Sequence, residues 1–283
     1  MRPDPKQVIA SITKIASLPD VCIKFSAALR DPKTSNRELE EVLSEDVAMA
    51  ARVLRIANSA MYSFPSRVDT VSQAATVIGY KQLNDIVLAC SIINMFKGLP
   101  QDVVDMESFW RHSISCAVAA RIIASHRRVA NIEQYFTAGL LHDIGRLVIF
   151  VELPHRATEI LSKSKRTNAP MYKLEQEVLG FDHAKLGGIL LKSWKLPKRL
   201  VDSVAYHHAP ARTHDYMVES SVIHVADIIC HALKYGESGE RFVPDLSESA
   251  WESLGLSIDV VSPVLDQVKI QAADVVKSIL QDA

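Results

Sequence analysis

The sequence predicts an all-α fold, and three observations carry that expectation. Glycine is scarce, at 10 of 283 residues, about half the usual 7%, which suits long helices better than an all-β chain. Apolar residues recur at helical spacing through most of the sequence. No stretch sustains the period-2 alternation of a half-buried strand. A chain of 283 residues is long for one domain and comfortable for two subdomains sharing a core.

The elements follow in order. In "SNREL", Glu38 stands three residues after Ser35, a capping box that opens a helix over "ELEEVL". Asp46 is placed to cap "VAMAARVLRIANSA", where Val47, Ala50, Ala51, Leu54 and Ala57 make one stripe and Asn58 and Ser59 close the helix. Thr70 and Gln73 form a second capping box before "VSQAATVIGY". Another stripe runs through Leu83, Ile86, Val87, Cys90, Ile93 and Met95. Residues 1–98 therefore read as an N-terminal subdomain of four to six short helices.

The stretch Lys97–Met106, with Gly98 and Pro100, breaks the pattern and marks a boundary. A second helical set is expected over 107–235. It opens with a long helix through "ESFWRHSISCAVAARIIASHRR", apolar at Phe109, Cys116, Ala119, Ala120 and Ile123, with His112 on the same stripe. Asn131 is the expected cap of "IEQYFTAGLLH". Further helices are predicted over Leu153–Lys165, Met171–Leu179, His183–Trp194, Lys198–His207 and Ser220–Tyr235. Trp110 and Trp194 read as core, and "KSKR" (Lys163–Arg166) as a solvated loop. "YGESGERFVPD" reads as a polar loop, and residues 236–283 as a helical tail that packs on the bundle, interrupted near Pro263.

Hydrophobic residues make up 48% and charged residues 23%, ordinary for a soluble globular protein. With a net charge of -1, no global field recruits nucleic acid or an anionic membrane, and neither partner is expected. The four cysteines form no CxxC pair and read as buried thiols in a reducing compartment. The start "MRPDPKQVIA" has no apolar secretory core. The longest runs free of Asp, Glu, Lys and Arg include Ile56–Ser66 and Ile86–Phe96, short of the roughly 18 residues a membrane span needs. A cytoplasmic location is expected.

Of ten histidines, five stand with two aspartates in apolar helical segments. They are His112 in "FWRHS", His142 and Asp143 in "LLHDIG", His183 in "GFDHAKLG", His207 and His208 in "YHHAP", and Asp227 in "HVADII". A single histidine on an apolar helix face is ordinarily a core residue whose hydrogen bonds are met nearby. The recurrence beside aspartate points further, because imidazole and carboxylate together suit Fe, Mn, Zn, Ni or Mg, and two ions would need about this many ligands. No HExxH helix is present. His126, His155, His214 and His231 are expected on solvated faces or loops. His224, three residues before Asp227, shares its helix face but is expected as a core or surface residue.

In that order, and with "SLPDVCIKFSAALRDPKTSNRELEEVLSEDVAMAARVLRIANSA", "TVSQAATVIGY", "TAGLLHDIGRLVIF", "EVLGFDHAKLGGILLKSWKLP" and "VAYHHAP", the sequence resembles the HDOD family, a branch of the HD metal-dependent phosphohydrolase superfamily. The resemblance implies an HD-like helical bundle with the N-terminal helices packed on it. It implies a metal site of one or two divalent ions held by His112, His142, Asp143, His183, His207, His208 and Asp227, with Asp143 able to bridge two ions and orient a water. Two departures stand out. Arg146 takes the place after "HDIG" where active HD phosphodiesterases often carry Lys; a guanidinium holds phosphate but does not give up its proton. The Gly-Tyr-Pro element of the cyclic di-GMP phosphodiesterases is missing from "HHAPARTHDY".

Two functions follow as expectations. One is a signal-transduction module that acts through a signalling protein partner or a small phosphorylated ligand; an oligomer is compatible with it. The other is a metal-dependent phosphohydrolase in which Asp143 orients the attacking water and Arg146 neutralises the phosphate. A metal-stabilised binding module without turnover is a third, weaker reading.

Overall fold

The structure is a computed structural model that describes residues 2–12, 17–96, 104–129, 131–167 and 169–280. Among the described residues it is all-helical, with no strand. First come α1 (Pro5–Ser11), α2 (Asp20–Arg30), α3 (Asn36–Ser44), α4 (Val47–Ala57), α5 (Val71–Ile78) and α6 (Tyr80–Met95). Next are α7 (Met106–His126), α8 (Glu133–Leu141), α9 (Ile144–Glu152), α10 (Pro154–Arg166), α11 (Met171–Leu179), α12 (His183–Ser193), α13 (Lys198–Ala205) and α14 (Met217–Leu233). Last are α15 (Glu248–Leu254) and α16 (Val261–Leu280).

The helix starts are where the side chains can satisfy orphan N–H groups. Both capping boxes form, Ser35 with Glu38 and Thr70 with Gln73. Asp46 accepts from the Met49 amide at 2.9 Å and Asp182 from the Lys185 amide at 2.8 Å.

Three local expectations need correction. Asn131 lies one residue before the N-cap, Ile132, which makes no side-chain cap. "KSKR" is the last turn of α10 rather than a loop, a place where basic side chains complement the helix dipole. Pro263 sits inside the first turn of α16 and does not interrupt it, because the N–H that proline lacks has no partner at that position anyway. Most of the boundary expected over Lys97–Met106 lies outside the described residues; α7 begins at Met106, capped by Asp105.

The long helix α7 is the hub. It packs against α8, α14 and α16, while α12 packs against α9 and α13. One hydrophobic cluster takes in residues from Val8 to Ile279, so early and late helices share a core. The tail helix α16 lies on α7 and also on α4. There Asp274 accepts from the Ala60 amide at 2.7 Å and the Ser278 carbonyl from Arg55 at 3.0 Å. Among the described residues no helix is long and apolar enough to cross a membrane.

One glycine matters to the site. A Cβ on Gly145 would lie 2.1 Å from the His183 carbonyl oxygen. Only a glycine lets α9 press this close to α12, and that contact sets Asp143 beside His183.

Candidate metal centre

Five helix ends and faces converge inside the bundle. His112 comes from the middle of α7. His142 and Asp143 form the turn between α8 and α9, His183 opens α12, His207 and His208 lie in the turn after α13, and Asp227 faces inward from α14. The structure thus brings together all seven residues expected from the sequence. His112, His142, His183, His207, Asp143 and Asp227 are buried, and His208 is partly exposed.

Distances show one continuous cluster. Asp143 Oδ1 is 3.0 Å from His183 Nε2, and its Oδ2 is 3.4 Å from His142 Nε2. Asp227 Oδ1 is 3.2 Å from His112 Nε2 and 3.5 Å from His142 Nε2. His208 Nε2 lies 2.9 Å from His183 Nε2.

His231 belongs here as well, against the expectation of a solvated position. It sits one turn after Asp227 on α14, with Nε2 3.1 Å from Asp227 Oδ1 and its ring 4.4 Å from that of His112. The i, i+4 spacing puts the two residues on one helix face, a signal already present in "DIICH".

The second nitrogens of the rings show what the cluster suits. His142 Nδ1 donates to the Gly139 carbonyl and His207 Nδ1 to the Val204 carbonyl, each at 2.7 Å. His183 Nδ1 donates to Glu175 at 2.6 Å. A ring that gives away its Nδ1 proton in this way keeps the Nε2 lone pair turned inward, the usual preparation of a metal-ligating histidine. His207 Nε2 is buried with no hydrogen-bond partner, and His142 Nε2 faces only the carboxylates of Asp143 and Asp227, at 3.4 and 3.5 Å. An orphan such as that of His207 costs about 1–3 kcal/mol, and a cation accepting its lone pair would remove that cost. The residues present therefore fit a metal. Two sets with no shared member could hold one ion each, His183 with His207 and His208, and His112 with Asp227 and His231; Asp143 lies between them.

The electrostatics point the same way. Burial raises the carboxyls of Asp143 and Asp227, but the cations around them hold both well below the ordinary range. Burial lowers the His142 imidazole, yet Asp143 and Asp227 outweigh it and push it up to about 10. For His183, burial and Arg146 are outweighed by Glu175 and Asp143, and it rises to about 9. His112 is lowered to about 4 by burial. The carboxylates thus gather positive charge in the form of protons on imidazoles.

Arg146 lies beneath the cluster and is fully buried. Its Nη1 donates to Asp143 at 3.1 Å and to the Ser238 hydroxyl at 2.5 Å, and its Nε is 3.5 Å from Glu175. Three groups here gave no sequence signal. Glu175 lies in "KLEQEVLG", a pattern like any surface helix, while Ser238 and Glu240 come from the loop read as polar yet are buried. His224 is a core residue behind the cluster; its Nδ1 donates to the His207 carbonyl at 2.9 Å.

The cluster meets the surface at His208, which Tyr172 covers in a stack with ring centroids 4.3 Å apart. A groove of about 870 Å³ runs from there along α12 and α13. Lys185, Lys192 and Arg212 line it, and none has an ion-pair partner among the described residues.

Comparison with known proteins gives the following. The HDOD domain profile matches residues 15–210. Among solved structures, the chain is similar to an HDOD domain protein of unknown function from Geobacter sulfurreducens, with a TM-score of 0.82 and 21% identity over 98% of this chain and 97% of that one. It is similar to a candidate phosphohydrolase from Shewanella amazonensis SB2B, with a TM-score of 0.76 and 24% identity over 98% of each chain. It is also similar to a candidate signal transduction protein from Marinobacter aquaeolei VT8, with a TM-score of 0.72 and 19% identity over 99% of this chain and 62% of that one. An uncharacterised protein of Treponema pallidum (strain Nichols) is 22% identical over 235 residues, which is 82% of this chain and 45% of that protein. The chain spans about half the length of that curated relative.

Proposed function

The chain belongs to the HDOD family, and from that premise we propose that it is a signal-transduction module whose bundle retains an HD-type metal site and acts through a bound partner or a small phosphorylated ligand. One observation carries this reading: the seven candidate ligands stand together but are closed off from solvent. Six of the seven are buried, and the Arg146 guanidinium, the cation expected to meet a phosphate, is taken up by Asp143, Glu175 and Ser238. In that reading the metal holds six helices, α7, α8, α9, α12, α13 and α14, in one arrangement. Ligands or partners that favour the arrangement then share its binding energy.

A second reading is supported by the groove at His208. Its unpaired lysines and arginine would attract a phosphoester to the one partly exposed ligand from the doublet, and favour a metal-dependent phosphohydrolase. A bound divalent ion would there polarise the phosphoryl group and make hydroxide available near neutral pH. Asp143 would orient the water, and Tyr172 would have to move off His208.

Elemental analysis of the purified protein beside His142→Ala/Asp143→Ala tests the shared premise. One or two equivalents of Fe, Mn, Zn or Ni, lost in the variant, are expected. No metal in either protein after loading would remove both readings. A phosphoester panel run on the loaded protein then separates them: turnover lost in the double variant replaces the first reading with the second.

A further inference from the structure

A separate cavity of about 750 Å³ lies between α2, α6, α8 and the turn joining α12 to α13. That volume suits a drug-sized ligand. Leu29, Leu88, Trp194 and Leu200 give it apolar walls. Two carboxylates line it, Asp85 and Glu219. Glu219 is paired with Arg199 at 3.2 Å. Asp85 has no cation in ion-pair reach among the described residues; the nearby Asn131 side chain only partly offsets the burial of its carboxyl. The Asn131 Oδ1 beside it is buried without a donor.

An acid against apolar walls with no counter-charge is costly, and here the neighbourhood makes it worse. Burial, and then the charge of Glu133 nearby, raise the Asp85 carboxyl to about 7. Glu133 already has its own cation, Arg121, at 2.9 Å. The other basic residues of the cavity, Arg30 and Lys195, stand on its exposed rim. The interior therefore lacks one positive charge and at least one hydrogen-bond donor. We infer that this cavity binds a small organic cation, with an amidinium, guanidinium or ammonium head on Asp85 and an apolar body against Leu88, Trp194 and Leu200. A planar amidinium meets a carboxylate through two parallel hydrogen bonds, so it is the natural probe. Nothing in this inference depends on the metal centre.

The test is calorimetric titration of benzamidine into the full chain at pH 8, where Asp85 is ionised. Saturable binding of one equivalent is expected, with neutral benzamide at least about 10-fold weaker, because the charge-assisted pair is lost. Asp85→Asn keeps the shape and should weaken benzamidine by about 10-fold or more. Ser26→Phe, which fills the cavity from α2 and leaves Asp85 intact, should abolish binding; it also serves if Asp85→Asn does not fold. His142→Ala/Asp143→Ala should bind as the wild type does. No saturable binding up to about 10 mM, or equal affinity in Asp85→Asn, or equal affinity for benzamide, would each overturn the inference.

Discussion

One oxygen of Glu175 accepts two hydrogen bonds from His183, from the ring Nδ1 at 2.6 Å and from the backbone amide at 2.7 Å. The carboxylate thereby fixes both the start of α12 and the direction of the imidazole. Substituting Glu175→Gln should leave the fold intact, since an amide oxygen can still accept. It should lower metal affinity by about 10- to 100-fold, the usual effect of removing the partner of a ligating histidine. Competition with a chromogenic chelator measures this, and unchanged affinity would show that His183 is not a ligand.

Metal binding should release protons. A metal takes the neutral ring, and His142 and His183 are held up to about 10 and about 9. Affinity is therefore expected to climb from about pH 6 to pH 9. Calorimetry in two buffers of different ionisation enthalpy counts the protons, and a count of zero would contradict the charge pattern. The sign for the metal-free protein is opposite. Both values lie above the ordinary ~6.5, so the stability these groups give is complete below that pH and is lost as pH rises through about 9 to 10.

Arg146 should matter more to folding than to ligand capture. Removing it leaves Asp143 and Glu175 buried without their shared cation, and breaking such a pair costs about 3–5 kcal/mol. Arg146→Met is expected to lose that much in urea denaturation. Arg146→Lys should recover only part, because one ammonium cannot reach Asp143, Glu175 and Ser238 in the same fork geometry. A loss below about 1 kcal/mol for Arg146→Met would show that the guanidinium is not a structural cation.

Gly145→Ala puts a methyl into the His183 carbonyl. Such overpacking costs about 1–3 kcal/mol, and here the strain falls on the contact that sets Asp143 beside His183. Lower stability together with weaker metal retention is expected. A stable variant with full metal content would mean that α9 and α12 can part without disturbing the ligands.

Much of this was legible in the sequence because it rests on local rules. Ser35, Asp46 and Thr70 announced their helices through side chains that reach only three residues on. The histidines and aspartates stood out because charge-bearing groups rarely interrupt apolar stripes. Groups acting across the fold were hidden. Glu175 lies in a helix whose sequence resembles any solvated one, and only tertiary packing turns it inward. Ser238 sits in a stretch rich in Gly, Ser and Glu, where burial has no sequence mark. His231 does carry a sequence signal, its i, i+4 spacing to Asp227.

The contacts of α16 with α4 have a consequence for how the molecule is made. The Ala60 amide and Asp274 are 214 positions apart, and the helix that bears Asp274 also covers α7, the element that carries His112. During synthesis the face of α4 and α7 that α16 covers stays bare until α16 has left the ribosome. Separations of this size slow folding and lengthen the time a nascent chain can aggregate. The His/Asp cluster, which α7 helps to form, would then be among the last parts to assemble.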